Sequence, residues 1–137
     1  MTIPNILQKG VMNNDQRVRD FERVANTIEC LPDWVCKLVE QCMDRMVLQF
    51  FGDITITIIA PKNYPREPAR VDDFKSVCQL IGLSRFETIV FDADATMFNA
   101  SFAYIFTNIF TKLCVKRGFP MPRIVRILQE SIENEQQ

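Results

Sequence analysis

Apolar residues recur along the chain at spacings that predict a succession of helices. After a loose lead-in over residues 1–13, Val18, Phe21, Val24, Ala25 and Ile28 fall three and four apart, with Arg17, Arg19, Asp20, Glu22 and Arg23 between them. That period predicts an amphipathic helix starting at Asn14 or Asp15. Leu31-Pro32-Asp33 ends it, and Asp33 is a capping residue for a second helix. The apolar face of this second helix is Trp34, Val35, Leu38, Val39, Cys42, Met46 and Phe50. Gly52-Asp53 interrupts the pattern. Ile54–Ile59 then alternates and is rich in β-branched residues, which alone reads as a strand. A single strand has no pairing partner among helices, so three readings stay open: an extension of the helix, an extended segment, or an edge available to another chain.

Pro61, Pro65 and Pro68 make the next stretch a loop, since each removes a donor and fixes φ. Helical spacing resumes at Val71, with Phe74, Val77, Cys78 and Ile81 on one face and Gly82 as the stop. Ser84 and Glu87 form a capping box for a further helix, whose stripe is Phe86, Ile89, Val90 and Ala93. Ala95 to Thr111 then runs without a charge and is dense in Phe98, Phe102, Tyr104, Ile105, Phe106, Ile109 and Phe110. A helix apolar on nearly all sides is a core helix or a membrane span. The run is short for a span and carries Asn99, Ser101, Thr107 and Asn108, so a central core helix over about 97–115 is predicted. Pro120 and Pro122 open a last amphipathic helix with Ile124, Ile127, Leu128 and Ile132 on one face, followed by the polar tail 133–137. The expected fold is therefore all-α: one domain over 1–137, a bundle of about six helices around the hydrophobic one, with an insertion or loop at 51–70 and no C-terminal transmembrane tail.

Composition narrows the function classes. With 137 residues, 47% hydrophobic, the chain is long enough to bury a core without metals or disulfides. A net charge of −1 gives no electrostatic reason to expect nucleic acid or an anionic membrane. Five cysteines is an odd number, and the first residues lack the pattern of a signal peptide, so reduced thiols in a cytosolic or nuclear compartment are expected. Cys30, Cys36 and Cys42 recur every six residues, which is not a zinc-ligand spacing, and neither a metal nor any other cofactor is expected. There is no histidine, which removes the commonest general base and the usual nucleophile pairs. The four glycines are not clustered into a phosphate loop. Asp92 and Asp94, two apart, point to different faces of a helix and do not flank one substrate. The expectation is protein binding, not catalysis.

Short motifs resemble the Bcl-2 family. Arg85-Phe-Glu-Thr-Ile-Val90 is similar to the start of that family's fourth helix, R-F-x-T-V-V. Counting on without a gap, Asn99-Ala-Ser-Phe102 falls on the N-W-G-R motif of the fifth helix, and Leu113-Cys-Val115 on a similar apolar stretch. Asp73-Phe74 and Gln79-Leu80 resemble the third helix, and Val39-Glu-Gln-Cys-Met-Asp44 the second. A small, divergent, tailless member of this kind resembles the survival proteins of large DNA viruses, such as a fish iridovirus.

The resemblance implies an apoptosis inhibitor acting in the host cytoplasm, sequestering the BH3 helix of a pro-death, Bim-like protein in an apolar groove. By the same resemblance, that groove is Met46 and Phe50 on helix two, Phe74 and Val77 on helix three, Ile89, Val90 and Ala93 on helix four, and Phe102 and Ile105 on helix five. The resemblance also implies that Asn99 caps or bonds the ligand backbone. Phe102 stands where the family has an arginine that pairs with the ligand's aspartate, which implies a narrow ligand range unless Arg70, Lys75 or Arg85 substitutes. An uncovered groove also makes a homodimer a possible partner state. The competing expectation is a helical interaction or viral assembly protein that does not bind BH3 segments.

Overall fold

The structure is a computed structural model; it describes residues 12–72, Ser76 and residues 101–135, with side chains from Gln16 onward. In chain order its elements are α1 (Met12–Glu29), β1 (Cys36–Gln41), β2 (Arg45–Phe50), β3 (Ile54–Ile59), β4 (Arg70–Val71), α2 (Phe102–Arg117) and α3 (Arg123–Glu135). The strands form one antiparallel sheet in the order β1-β2-β3-β4. The fold is mixed α/β, and the all-α bundle expected from helical spacing is corrected.

The correction lies in residues 34–59. Where a second helix was expected, the chain makes the β1–β2 hairpin, turning through Cys42, Met43 and Asp44, with the Cys42 amide donating to the Arg45 carbonyl at 2.9 Å. Met46, Leu48 and Phe50 alternate with Arg45, Val47 and Gln49; the first set is buried and the second half-buried. This is the period of two of a strand with one face on the core. Ile54–Ile59 is a strand as its β-branched alternation suggested, and its missing partner is β2, with Leu48 opposite Ile56 and Phe50 opposite Ile54. Between β2 and β3, Phe51 (φ 54) and Gly52 (φ 79) are both left-handed, and the Asp53 amide donates to the Phe50 carbonyl. Two successive left-handed residues match the twist of a tight hairpin. The strain at Phe51 is offset by its ring, which packs edge-on to Phe119 at 5.4 Å and lies under the Arg117 guanidinium.

A hydrophobic helix does fill the core. Ser101 caps α2 by accepting from the Tyr104 amide at 2.9 Å, so the helix starts at Phe102, later than the 97 expected. Gly118 ends it in the left-handed conformation, with its own amide bonded to Val115 and that of Phe119 bonded to Cys114, a Schellman closure. Phe102, Phe106, Phe110 and Leu113 are fully buried, whereas Val115 is exposed. The helix packs on the inner face of the sheet through Phe50, whose ring lies 5.5 Å from Phe110, and on α1 through Phe21, 4.6 Å from Phe102. Among the described residues no helix is long and apolar enough to cross a membrane.

α3 follows Pro122 and buries Val125, Leu128 and Ile132 while Ile127 faces out, which shifts the expected stripe by part of a turn. Val71, expected to begin a helix, lies in β4. The proline-rich loop before it holds the buried Tyr64 and a cis Tyr64–Pro65 bond.

Candidate functional site

Of the ten groove positions expected, Met46 and Phe50 lie on β2, and Phe102 and Ile105 on α2. All four belong to the hydrophobic core: Met46, Phe50 and Phe102 have no exposed surface and Ile105 has 9%. Met46 and Phe50 point into the sheet's packed face and Phe102 against Phe21, so these four side chains are interior ones. Phe74, Val77, Ile89, Val90, Ala93 and Asn99 lie outside the described residues. Of the cations named as substitutes for the family arginine, Arg70 is exposed on β4; Lys75 and Arg85 lie outside the described residues.

A different concavity opens between α1 and the β1–β2 turn, with a volume of about 480 Å³. One wall comes from α1, with Arg17, Val18, Phe21 and Glu22; the other is Gln41, Cys42 and Met43. Its position follows from the hairpin, since a turn protruding beyond the sheet is what stands opposite the helix. Phe21 is 3% exposed and forms the floor, while Val18 is 53% and Met43 77% exposed on opposite walls. Large apolar side chains left this open on both sides of a cleft mark a surface suited to a partner's apolar group. Glu22 adds an exposed negative charge at the rim.

The rest of this neighbourhood is structural. Arg17 is buried and donates through one guanidinium nitrogen to the Ala60 carbonyl at 3.1 Å and the Pro61 carbonyl at 3.3 Å. Asp20, 1% exposed, accepts from the Tyr64 hydroxyl and from Gln16 at 3.1 Å. The Tyr64 oxygen in turn accepts from the Phe102 amide at 2.7 Å. Burial first, then the Asp20 carboxylate beside it, pushes the Tyr64 phenol above its usual range. These polar groups tie α1, the proline loop and the start of α2 together. Helical spacing puts Arg17 and Asp20 between the apolar positions of α1, and nothing in that spacing marks them as buried.

Three of the described thiols, Cys36, Cys42 and Cys114, are poorly suited to nucleophilic work. Burial pushes Cys36 up to about 12 and Cys114 up to about 11. Cys42 is exposed, but its thiol donates to Glu40 at 3.3 Å, and this hydrogen bond, followed by slight desolvation and the Glu40 and Asp44 charges, raises it too. A nucleophilic cysteine needs the opposite environment, one that stabilises its thiolate. Among the described residues no three acidic or cysteine side chains come together to hold a metal ion. No protein-family model, no curated protein and no solved structure matches the chain.

Proposed function

We propose that this chain is a protein-binding module that takes an apolar side chain of a partner segment into the cleft between α1 and the β1–β2 turn. The observation that carries the reading is the pair Val18 and Met43, half or more exposed on facing walls above the buried Phe21. Water leaving such a surface favours association by about 25 cal/mol per Å² of apolar area, reduced by the cost of ordering the partner. The exposed Glu22 at the rim favours a segment with a basic residue next to its apolar anchor. Raised thiols and a chain without histidine are consistent with binding as the activity.

The apoptosis-inhibitor expectation depended on a groove built between helices. The four groove residues that are described lie in the core, so no observation favours that ligand over other apolar segments.

Selection of a displayed random-peptide library on the wild-type protein, with counter-selection on a Val18→Glu, Met43→Glu variant, tests the proposal. Peptides with an apolar residue beside a basic one should emerge and bind the wild type at least tenfold more tightly than the variant. Peptides that bind both proteins equally would contradict it. A BH3 peptide panel titrated in parallel tests the ligand implied by the family resemblance.

A further inference from the structure

Among the described residues the sheet ends on β1, five of whose six residues (all but Val39) pair with β2 and with no strand on the other side. Lys37, Val39, Glu40 and Gln41 on this edge are exposed, Val39 at 53%. A bulge falls between Leu38 and Glu40. Bulges and edge charges ordinarily keep sheet edges apart. Here the bulge also has a second effect. Lys37 and Glu40 are three apart, so in a regular strand they would face opposite sides of the sheet. With the extra residue between them, Lys37 stands beside Gln49 and Glu40 beside Val47, both on the half-buried outer face. The edge thus presents one positive and one negative charge on the same face, separated along the strand.

Such an edge is complementary to itself. In an antiparallel pairing of two copies about a two-fold axis at the bulge, Lys37 of each copy stands opposite Glu40 of the other. Opposite charges directly across a ladder are favourable, and an isologous interface makes each contact twice. The same register carried past the strand ends brings Trp34 of one copy toward Met43 of the other. These are the exposed large hydrophobics that flank β1 on either side, at 61% and 77%. Sulfur against an aromatic ring is a favourable contact, and tryptophan is among the residues that most often anchor interfaces.

We propose that the β1 edge is a self-association surface, pairing two copies of this chain into one continuous antiparallel sheet, with Lys37–Glu40 and Trp34–Met43 contacts across the axis. A six-residue edge is small for an interface, so the dimer is a weak one with a Kd on the order of 10–100 µM.

Charge exchange tests it. Sedimentation equilibrium of the full chain should give a concentration-dependent monomer–dimer balance. Lys37→Glu alone sets like charges across the axis twice, as does Glu40→Lys alone, and each should weaken dimerisation at least about tenfold. The double variant Lys37→Glu, Glu40→Lys restores the opposite pairs and should recover the wild-type constant to within about threefold. Circular dichroism checks that every variant is folded, and the double variant serves as the control if one single variant is not. A strictly monomeric wild type across this concentration range would overturn the proposal. So would single variants that dimerise like the wild type, or a double variant no better than the singles. Met43 belongs to both surfaces, but Lys37 and Glu40 do not line the cleft, so the charge-exchange result is distinguishable from that of the cleft experiment.

Discussion

The hydroxyl of Tyr64 is hydrogen-bonded to the buried carboxylate of Asp20, joining the proline loop to the middle of α1. The same oxygen accepts the Phe102 amide at the first turn of α2, so one side chain links three segments that are far apart in sequence. Tyr64→Phe keeps the ring but leaves an amide and a carboxylate short of a partner inside the protein. A buried group left unsatisfied costs about 1–3 kcal/mol. The expected loss is about 2–3 kcal/mol, seen as a fall in Tm of roughly 8–12 °C in a thermal melt. A melt unchanged by the substitution would mean the tie contributes nothing.

Alkaline pH should destabilise the protein. The Cys36 thiol is raised from 9.0 to about 12 by burial. Above pH 9 the unfolded chain releases this proton while the folded one keeps it, so the unfolded state binds fewer protons and stability falls as pH rises. The contribution is intact below pH 9 and is lost progressively between 9 and 12. By pH 10.5 it amounts to a loss on the order of 2 kcal/mol. Urea unfolding of the wild type and of Cys36→Ala across this range measures it: the variant should start less stable and show a shallower alkaline decline.

Cys42 offers a second titration with a different cause. Its exposed thiol is held up chiefly by its hydrogen bond to Glu40. Glu40→Gln removes the carboxylate, lowers the thiol's pKa and increases the thiolate fraction at a fixed pH near 8. Alkylation of Cys42 by iodoacetamide, followed by peptide mass spectrometry, should accelerate roughly two- to fivefold. An unchanged rate would show that Glu40 does not control this thiol.

These residues also explain what sequence patterning could and could not reveal. α1, α2 and α3 were legible because their apolar stripes span several turns and their ends carry recognisable signals, such as Gly118 after α2 and Pro122 before α3. Ile54–Ile59 was legible as a strand. The hairpin before it was not, because Leu38, Cys42, Met46 and Phe50 are each four apart. A spacing of four returns to the same face of a helix and, being even, to the same side of a strand. The bulge deepened the ambiguity by placing the apolar Leu38 and Val39 next to each other, as a helix face does. The intervening Leu48, between Met46 and Phe50, was the discriminating residue: it fits the strand and breaks the helix stripe. Since the hairpin was missed, so was the cleft, which exists only where the Cys42–Asp44 turn stands against α1. The burial of Arg17 and Asp20 was not legible for a related reason, because it depends on Tyr64 and on the loop carbonyls rather than on their own helix.

Residues 36–59 form an antiparallel meander, on which both the cleft and the β1 edge depend. Nuclear Overhauser contacts in isotope-labelled protein test it directly. The register predicts cross-strand backbone contacts linking Leu48 to Leu38 on one side and to Ile56 on the other. A ladder of contacts between residues three and four apart running from Trp34 to Phe50, without those cross-strand contacts, would describe a helix and contradict it.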